Sequence, residues 1–263
     1  MVPPHTQVKI AQNPRLAKEA INALNAQCPG SFIIKVTRLQ AGEDDILLHE
    51  SHEINLYSRR DMVWLNGCSK QEVVEYYAAW VTPNDPAVEE LIRRAADYTD
   101  SGIMVSGYQD AIDDEDDLVW DRLQAIWRAE EDYGITYIST TMAFGQAWCQ
   151  RVRTPYEVLD QSSGNCIETS CLFASAVEAL DMEAALVFIP GHAYVGVRTD
   201  RENANYYFIE TTLIGRTGFS DAVDAGAENW EETQPHLDAG EDGYAWVSIN
   251  EAREKGILPM PWR

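Results

Sequence analysis

Basic residues are scarce in this chain of 263 residues: 20 Lys and Arg stand against 43 Asp and Glu, a formal net charge of -23. Only five of the bases are lysine, against fifteen arginines. A surface of that sign repels phosphate backbones and anionic headgroups, so nucleic acid and membranes are not expected partners. It suits basic peptides or protein surfaces, and equally a plain solvated acidic shell of the kind found in a salty cytoplasm. Cysteine is sparse too. Cys28, Cys68, Cys149, Cys166 and Cys171 are odd in number, irregularly spaced and form no CxxC pair. That argues against a zinc ribbon or dithiol redox motif and for free thiols in a reducing compartment. No apolar run approaches the roughly 20 residues that cross a bilayer. The first residues, Met1-Val2-Pro3-Pro4-His5, lack the basic start and apolar stretch of a secretion signal. A cytoplasmic protein is the expectation. No internal repeat is visible.

What is present is a hydrophobic fraction of 45%, ordinary for a globular chain and enough for one large domain or two small ones. Leu16, Ala20, Ile21 and Leu24 space a helix over 14–26, which Cys28-Pro29-Gly30 ends. Residues 31–39, 46–49, 53–57 and 62–65 read as short strands, the last closed by Asn66-Gly67. His49 and His52, beside Glu50 and Glu53, lie three apart on a strand, which sends their rings to opposite faces, so no metal site is expected. Residues 71–81 have an ambiguous period. Thr82-Pro83-Asn84-Asp85-Pro86 is the clearest boundary, with Asp85 capping a helix whose first residue is Pro86. The division expected is therefore a small β-rich module over 1–82 and a core over 83–263. In the core, the acidic run Asp113 to Asp117 precedes an amphipathic helix carrying Val119, Leu123, Ile126 and Trp127. The run lacks the spaced oxygens and Gly turn of a calcium loop and suits a helix N-terminus. Residues 215–243, poor in apolar side chains, read as a long ordered loop or insertion, 244–249 as a last strand, and 253–261 as a tail.

The stretch from Gly164 to Thr212 carries the chemistry. Cys166 opens an apolar helical run to about Leu180; His192 stands 26 residues on, at the start of an alternating strand; Glu210 stands a further 18 on, at the end of the next strand. A thiolate is the reactive form of cysteine, and a helix N-terminus and a neighbouring imidazole both favour it. The loop 200–205 permits a hairpin that returns Glu210 to His192, where a carboxylate orients the ring. Cys171, inside the same helix, lacks the field of the helix end and reads as core. The alternative is a packed thiol, a structural histidine and a solvated carboxylate. Neither reading requires a metal or cofactor.

The sequence GNCIETSCLFASAVEALDMEAALVFIPGHAYVGV, followed by YYFIETT, resembles the transglutaminase-like cysteine peptidase superfamily. Gly164-Asn165-Cys166-Ile167-Glu168 matches its Gly-x-Cys-x-Asp nucleophile start, His192-Ala193-Tyr194 its His-Ala-Trp strand, and Glu210-Thr211-Thr212 its Asp-x-Thr strand end. The likeness runs from about 83 to 263, through QRVRTPYEVL and the closing SINEAREKGILPMP. It implies an α+β fold with a papain-like or transglutaminase core, in which a nucleophile helix packs on an antiparallel sheet. It also implies a Cys166-His192-Glu210 triad acting through an acyl-enzyme on a protein or peptide substrate. Glu168 and Glu210 replace the usual Asp and Tyr194 the usual Trp; Glu168 then braces the helix. Candidate oxyanion donors are the backbone N–H of Cys166 and the amide of Gln150; the alternative for Gln150 is an ordinary polar loop residue. Among bacterial relatives hydrolysis is the commoner outcome, so a peptidase leads. The alternatives are a transglutaminase or deamidase acting on protein glutamine, and a binding module that keeps the fold without turnover.

Overall fold

The computed structural model describes residues 15–39, 44–64, 73–108, 118–139 and 149–261. Cys68, the Asn66-Gly67 turn and the acidic run 113–117 lie outside them. The chain forms two compact units, residues 1–59 with 263, and residues 60–262. Segment 60–82, assigned from sequence to the N-terminal module, belongs to the second unit, because Tyr77, Trp80 and Val81 are buried in its core.

The first unit holds a short helix α1 (Lys18–Ala23) and a long antiparallel hairpin of β1 (Cys28–Leu39) and β2 (Asp44–Leu56). Two expectations change here. Cys28-Pro29-Gly30 starts a strand, and the two strands read at 46–49 and 53–57 are one, since the polar run between them pairs with β1. Phe32, Ile33, Val36, Ile46, Leu47, Leu48 and Ile54 of this hairpin are exposed.

The second unit begins with β3 (Asp61–Val63) and a 3₁₀ helix over Val74–Trp80. Then come α2 (Pro86–Ala95), α3 (Leu118–Asp132), β4 (Thr136–Tyr137), β5 (Cys149–Arg151), α4 (Pro155–Gln161) and β6 (Ser163–Gly164). Asp85 caps α2 by accepting from the Ala87 N–H, and Pro86 fills a position whose N–H needs no partner. The centre is α5 (Cys166–Ala179), buried at every position from Cys166 to Val177. A helix apolar on all sides belongs inside a domain. Its Ala, Ser, Thr and Cys side chains are small enough to let neighbours approach on every face. It packs against α2, α3 and α4 and against the sheet.

That sheet has four antiparallel strands in the order β10-β7-β8-β9: β7 (Ala184–Ile189), β8 (His192–Arg198), β9 (Tyr206–Ile209) and β10 (Ala245–Ser248). Side chains alternate between its faces. Leu186, Ala193, Val195, Val197 and Ile209 join the cluster around α5. Val187, Tyr194 and Phe208 form the other face. The fold is thus α+β, with helices on both sides of one antiparallel sheet.

The second face is covered by a helix where the sequence reading placed a loop. The helix α6 (Phe219–Asp238) is 20 residues long, and α7 (Ile249–Glu254) takes up the start of the expected tail. Apolar residues are few in α6, but Phe219, Ala222, Val223, Gly226, Trp230 and Thr233 recur at helical spacing. Trp230 stacks on Phe208 with centroids 4.3 Å apart. Gly226 sets how close the helix lies: a Cβ there would stand 2.3 Å from the Phe208 carbonyl oxygen, a backbone atom that cannot step aside. Gly226→Ala is therefore expected to lower stability by about 2–3 kcal/mol in urea unfolding, where substitution of the exposed Ala227 by Gly costs about 1 kcal/mol; equal effects would contradict the close packing.

Candidate active site

Cys166 is the first residue of α5. Asn165 caps the helix, its side-chain oxygen accepting from the Glu168 N–H at 3.0 Å. Glu168 returns the bond by accepting from the Asn165 N–H, also at 3.0 Å, a reciprocal capping box. Glu168 also binds Arg153 through the guanidinium, at 2.7 Å to NH2, and through the backbone N–H at 2.9 Å. These bonds use its carboxylate to hold the helix start, the bracing role read from sequence. Cys166 itself is 9% exposed, more enclosed than a helix start at the surface, and it lines a cavity.

His192 opens β8 after the Pro190-Gly191 turn, with Gly191 in the left-handed region at φ 79°. Its Nε2–H donates to Glu210 Oε2 at 2.6 Å, and Cys166 lies near enough for its sulfur to favour the charged ring. With Nε2 engaged by Glu210, Nδ1 is the nitrogen left for proton exchange. Glu210 sits just beyond β9. Its Oε1 accepts from the Thr212 N–H at 3.1 Å and the Thr212 hydroxyl at 2.6 Å; its Oε2 also accepts from Asn229 Nδ2 at 3.0 Å. The added methylene of Glu over Asp is thus accommodated by a carboxylate bonded on both oxygens. Burial opposes charge on His192, but the neighbouring Cys166 and the bonded Glu210 outweigh it and raise the ring to about 10. Burial likewise pushes Glu210 up, and the bonds from His192 and Thr212 more than offset it, leaving the carboxyl below its ordinary value.

Two hydroxyl contacts tie the start of α5 to the segment that carries Glu210. Thr169 and Ser170, in the first turns of α5, hydrogen bond the Thr211 hydroxyl at 2.9 and 3.1 Å. Thr211 follows Glu210 directly and is fully buried.

Gln150 lies on β5, opposite Met62 of β3, and lines the same cavity as Cys166 and His192. Its Oε1 accepts from the Tyr77 hydroxyl at 2.8 Å, so the donor end of the amide is left unused by this contact. Burial, the main cause, raises the Tyr77 phenol far above its ordinary value and keeps it a donor. The four residues singled out from sequence therefore meet in one place. Tyr77, Thr212 and Asn229 were not singled out: Tyr77 lies 73 residues from its partner, and Asn229 was hidden in the unrecognised helix. The Glu210-Thr211-Thr212 motif did point at Thr212. Cys171 is fully buried, which raises its thiol well above the ordinary value. Burial, helped by Asp61, lifts Cys149 to about 11. Among the described residues, no cluster of three or more His, Cys, Asp or Glu could hold a metal ion, and no helix is long and apolar enough to cross a membrane.

No family model and no curated protein matches the chain. Among solved structures, a candidate protease from Parabacteroides distasonis ATCC 8503 is 14% identical over 66% of this chain and 36% of its own, with a TM-score of 0.31. A candidate cysteine protease from Cytophaga hutchinsonii is 8% identical over 72% of this chain and 65% of its own, with a TM-score of 0.30. The chain thus spans about a third of the first protein and just under two thirds of the second. Likenesses this distant carry no argument about the site.

The charge state of His192 sets a pH signature. Its folded pKa of about 10 lies above the ordinary 6.5, so the stability it contributes is full below 6.5 and is lost as pH rises toward 10. Glu210, lowered from 4.5, adds stability that is present above 4.5 and lost as pH falls. The destabilisation caused by Glu210→Gln is therefore expected to be largest between about pH 4.5 and 6.5 and to fade by pH 10. NMR titration of the His192 ring checks the cause: the midpoint falls in Glu210→Gln. An unchanged midpoint would contradict the coupling.

Proposed function

We propose that this protein is a cysteine-dependent amide-bond hydrolase, a peptidase that works through a Cys166 acyl-enzyme. The observation that carries the reading is Cys166 at the start of α5 and His192, hydrogen-bonded to Glu210, together at the wall of a cavity of about 450 Å³. The motif resemblance to transglutaminase-like cysteine peptidases supports the same reading.

In the first half-reaction, Cys166 gives its thiol proton to His192 and its Sγ bonds to the substrate carbonyl carbon. Negative charge moves onto the carbonyl oxygen, where the Gln150 amide or the Cys166 backbone N–H donates to it. When the C–N bond breaks, the leaving nitrogen takes its proton from His192 Nδ1 and departs as the free amine. In the second, water attacks the thioester, His192 takes the water's proton, and the acid leaves with Cys166 restored. Throughout, Glu210 holds the ring by Nε2 and stabilises its charged form. Thr212 and Asn229 keep the carboxylate from turning away. Tyr77 turns the Gln150 amide so that its NH₂ is the end free to donate.

The test is cleavage of a mixed peptide pool, read as new termini by mass spectrometry. The wild-type protein is expected to release new termini that Cys166→Ala does not. On a peptide found this way, Gln150→Ala is expected to lower kcat by about 10²–10³ with little change in KM. Cleavage that survives Cys166→Ala, or is lost in Cys171→Ala alone, would contradict the assignment. Cross-linked peptides in place of new termini would convert the hydrolase into an amine transferase using the same acyl-enzyme.

A further inference from the structure

Resting on the acyl-transfer reading, we propose that the cavity beside Cys166 is a subsite for one bulky, uncharged side chain of the substrate, aromatic or branched aliphatic, close to the scissile amide. The first observation is an absence of charge. The chain carries 43 acidic and 20 basic residues, yet among the described residues that line this cavity there is no Asp, Glu, Lys or Arg. A charge entering it leaves water without meeting a countercharge, apart from the His192 that the reaction itself uses.

The second observation is the wall. Trp64, Val74, Tyr77, Phe188, Ile189 and Pro190 give it an apolar and aromatic surface. The Tyr77 and Phe188 rings touch, with centroids 4.9 Å apart. Trp64 is held next to Val74 because the Val73 N–H donates to the Trp64 carbonyl at 2.8 Å. Phe188 and Ile189 come from the end of β7, directly before the turn that delivers His192, and Ile189 pairs with His192 across it. The same short hairpin therefore places the base and the apolar wall, so a side chain seated on that wall brings its own backbone to the sulfur.

The third observation is that several polar atoms at the cavity have other work. The Gln150 oxygen is taken by Tyr77, the Asn165 oxygen caps α5, and His192 Nε2 is taken by Glu210. A volume of about 450 Å³ lies within the range of sites that hold a small organic group. Burying one aromatic side chain there gains affinity in proportion to the apolar area removed from water.

The experiment is a positional library of quenched fluorescent peptides in which each of the four residues around the scissile bond is varied through Phe, Leu, Ala, Glu and Lys. The wild-type protein is expected to show one position at which Phe or Leu is preferred over Glu and Lys by about 100-fold in kcat/KM. Val74→Lys places a cation in the half-buried rim. It is expected to lower the Phe preference and raise cleavage of the Glu peptide at that position by about tenfold. A wild-type profile in which charged and apolar side chains differ less than threefold at every position would overturn the subsite while leaving the hydrolase reading in place. So would an unchanged profile in a folded Val74→Lys. Absence of any cleavage across the library, with Cys166 unreactive to iodoacetamide, would remove the hydrolase reading and the subsite with it. The wild-type profile decides the matter even where Val74→Lys does not fold.

Discussion

Everything at this site depends on one small contact, the buried hydroxyl cluster in which Thr169 and Ser170 meet Thr211. Cys166 is carried by a helix and Glu210 by the end of a strand, and sequence-distant elements have no intrinsic register. The cluster supplies it. One side lies in the first turns of α5, the other immediately after Glu210, and all three residues are fully or almost fully buried. Buried hydroxyls without partners are costly, so helix and strand end are held where the bonds close. His192 then has its position set by the carboxylate on Nε2 and by the turn that opens β8.

The electrostatics follow from this enclosure. A charge of -23 lies on the chain as a whole, but the described lining of the cavity carries none of it. The charges that matter are internal and paired. Arg153 satisfies Glu168 at the helix start, and His192 satisfies Glu210 beside it. Each pair is partly shielded from water, where a broken ion pair costs more than at the surface. This is also why a Glu serves here: its carboxylate meets His192, Thr212 and Asn229 together, so its longer side chain is not loose.

The meeting of Cys166, His192 and Glu210 and the strands β7 and β8 were legible in the sequence because that stretch is locally consistent. An apolar helix with a capping box is followed by two apolar strands separated by Pro190-Gly191, and Cys166, His192 and Glu210 each stand at or just beyond the end of an element. Other parts were hidden for identifiable reasons. Helix α6 contacts the sheet through Gly226 and small residues, so its average composition resembles a loop although its spacing is helical. The 46–57 region reads as two strands because His49, Glu50, Ser51 and His52 interrupt the apolar pattern, while pairing with β1 continues through them. Tyr77 could not be connected to Gln150 because their contact bridges chain-distant segments. Glu130 and Glu131 are adjacent and identical in type, yet Glu130 is fully buried, and that burial raises its carboxyl well above the ordinary value. Helical phase within a packed core, not residue type, decides which of the two is inside.

The central claim is that Cys166 forms a covalent acyl intermediate with the help of His192. Its most direct measurement is acid quenching during turnover of an activated ester of an apolar N-acyl amino acid, followed by intact-mass and peptide-level mass spectrometry. One acyl group is predicted on the peptide containing Cys166, with none on those containing Cys149 or Cys171 and no accumulation on Cys166 in His192→Ala. Turnover with no acyl group on Cys166 under conditions that trap the intermediate, or labelling undiminished by loss of His192, would contradict the account.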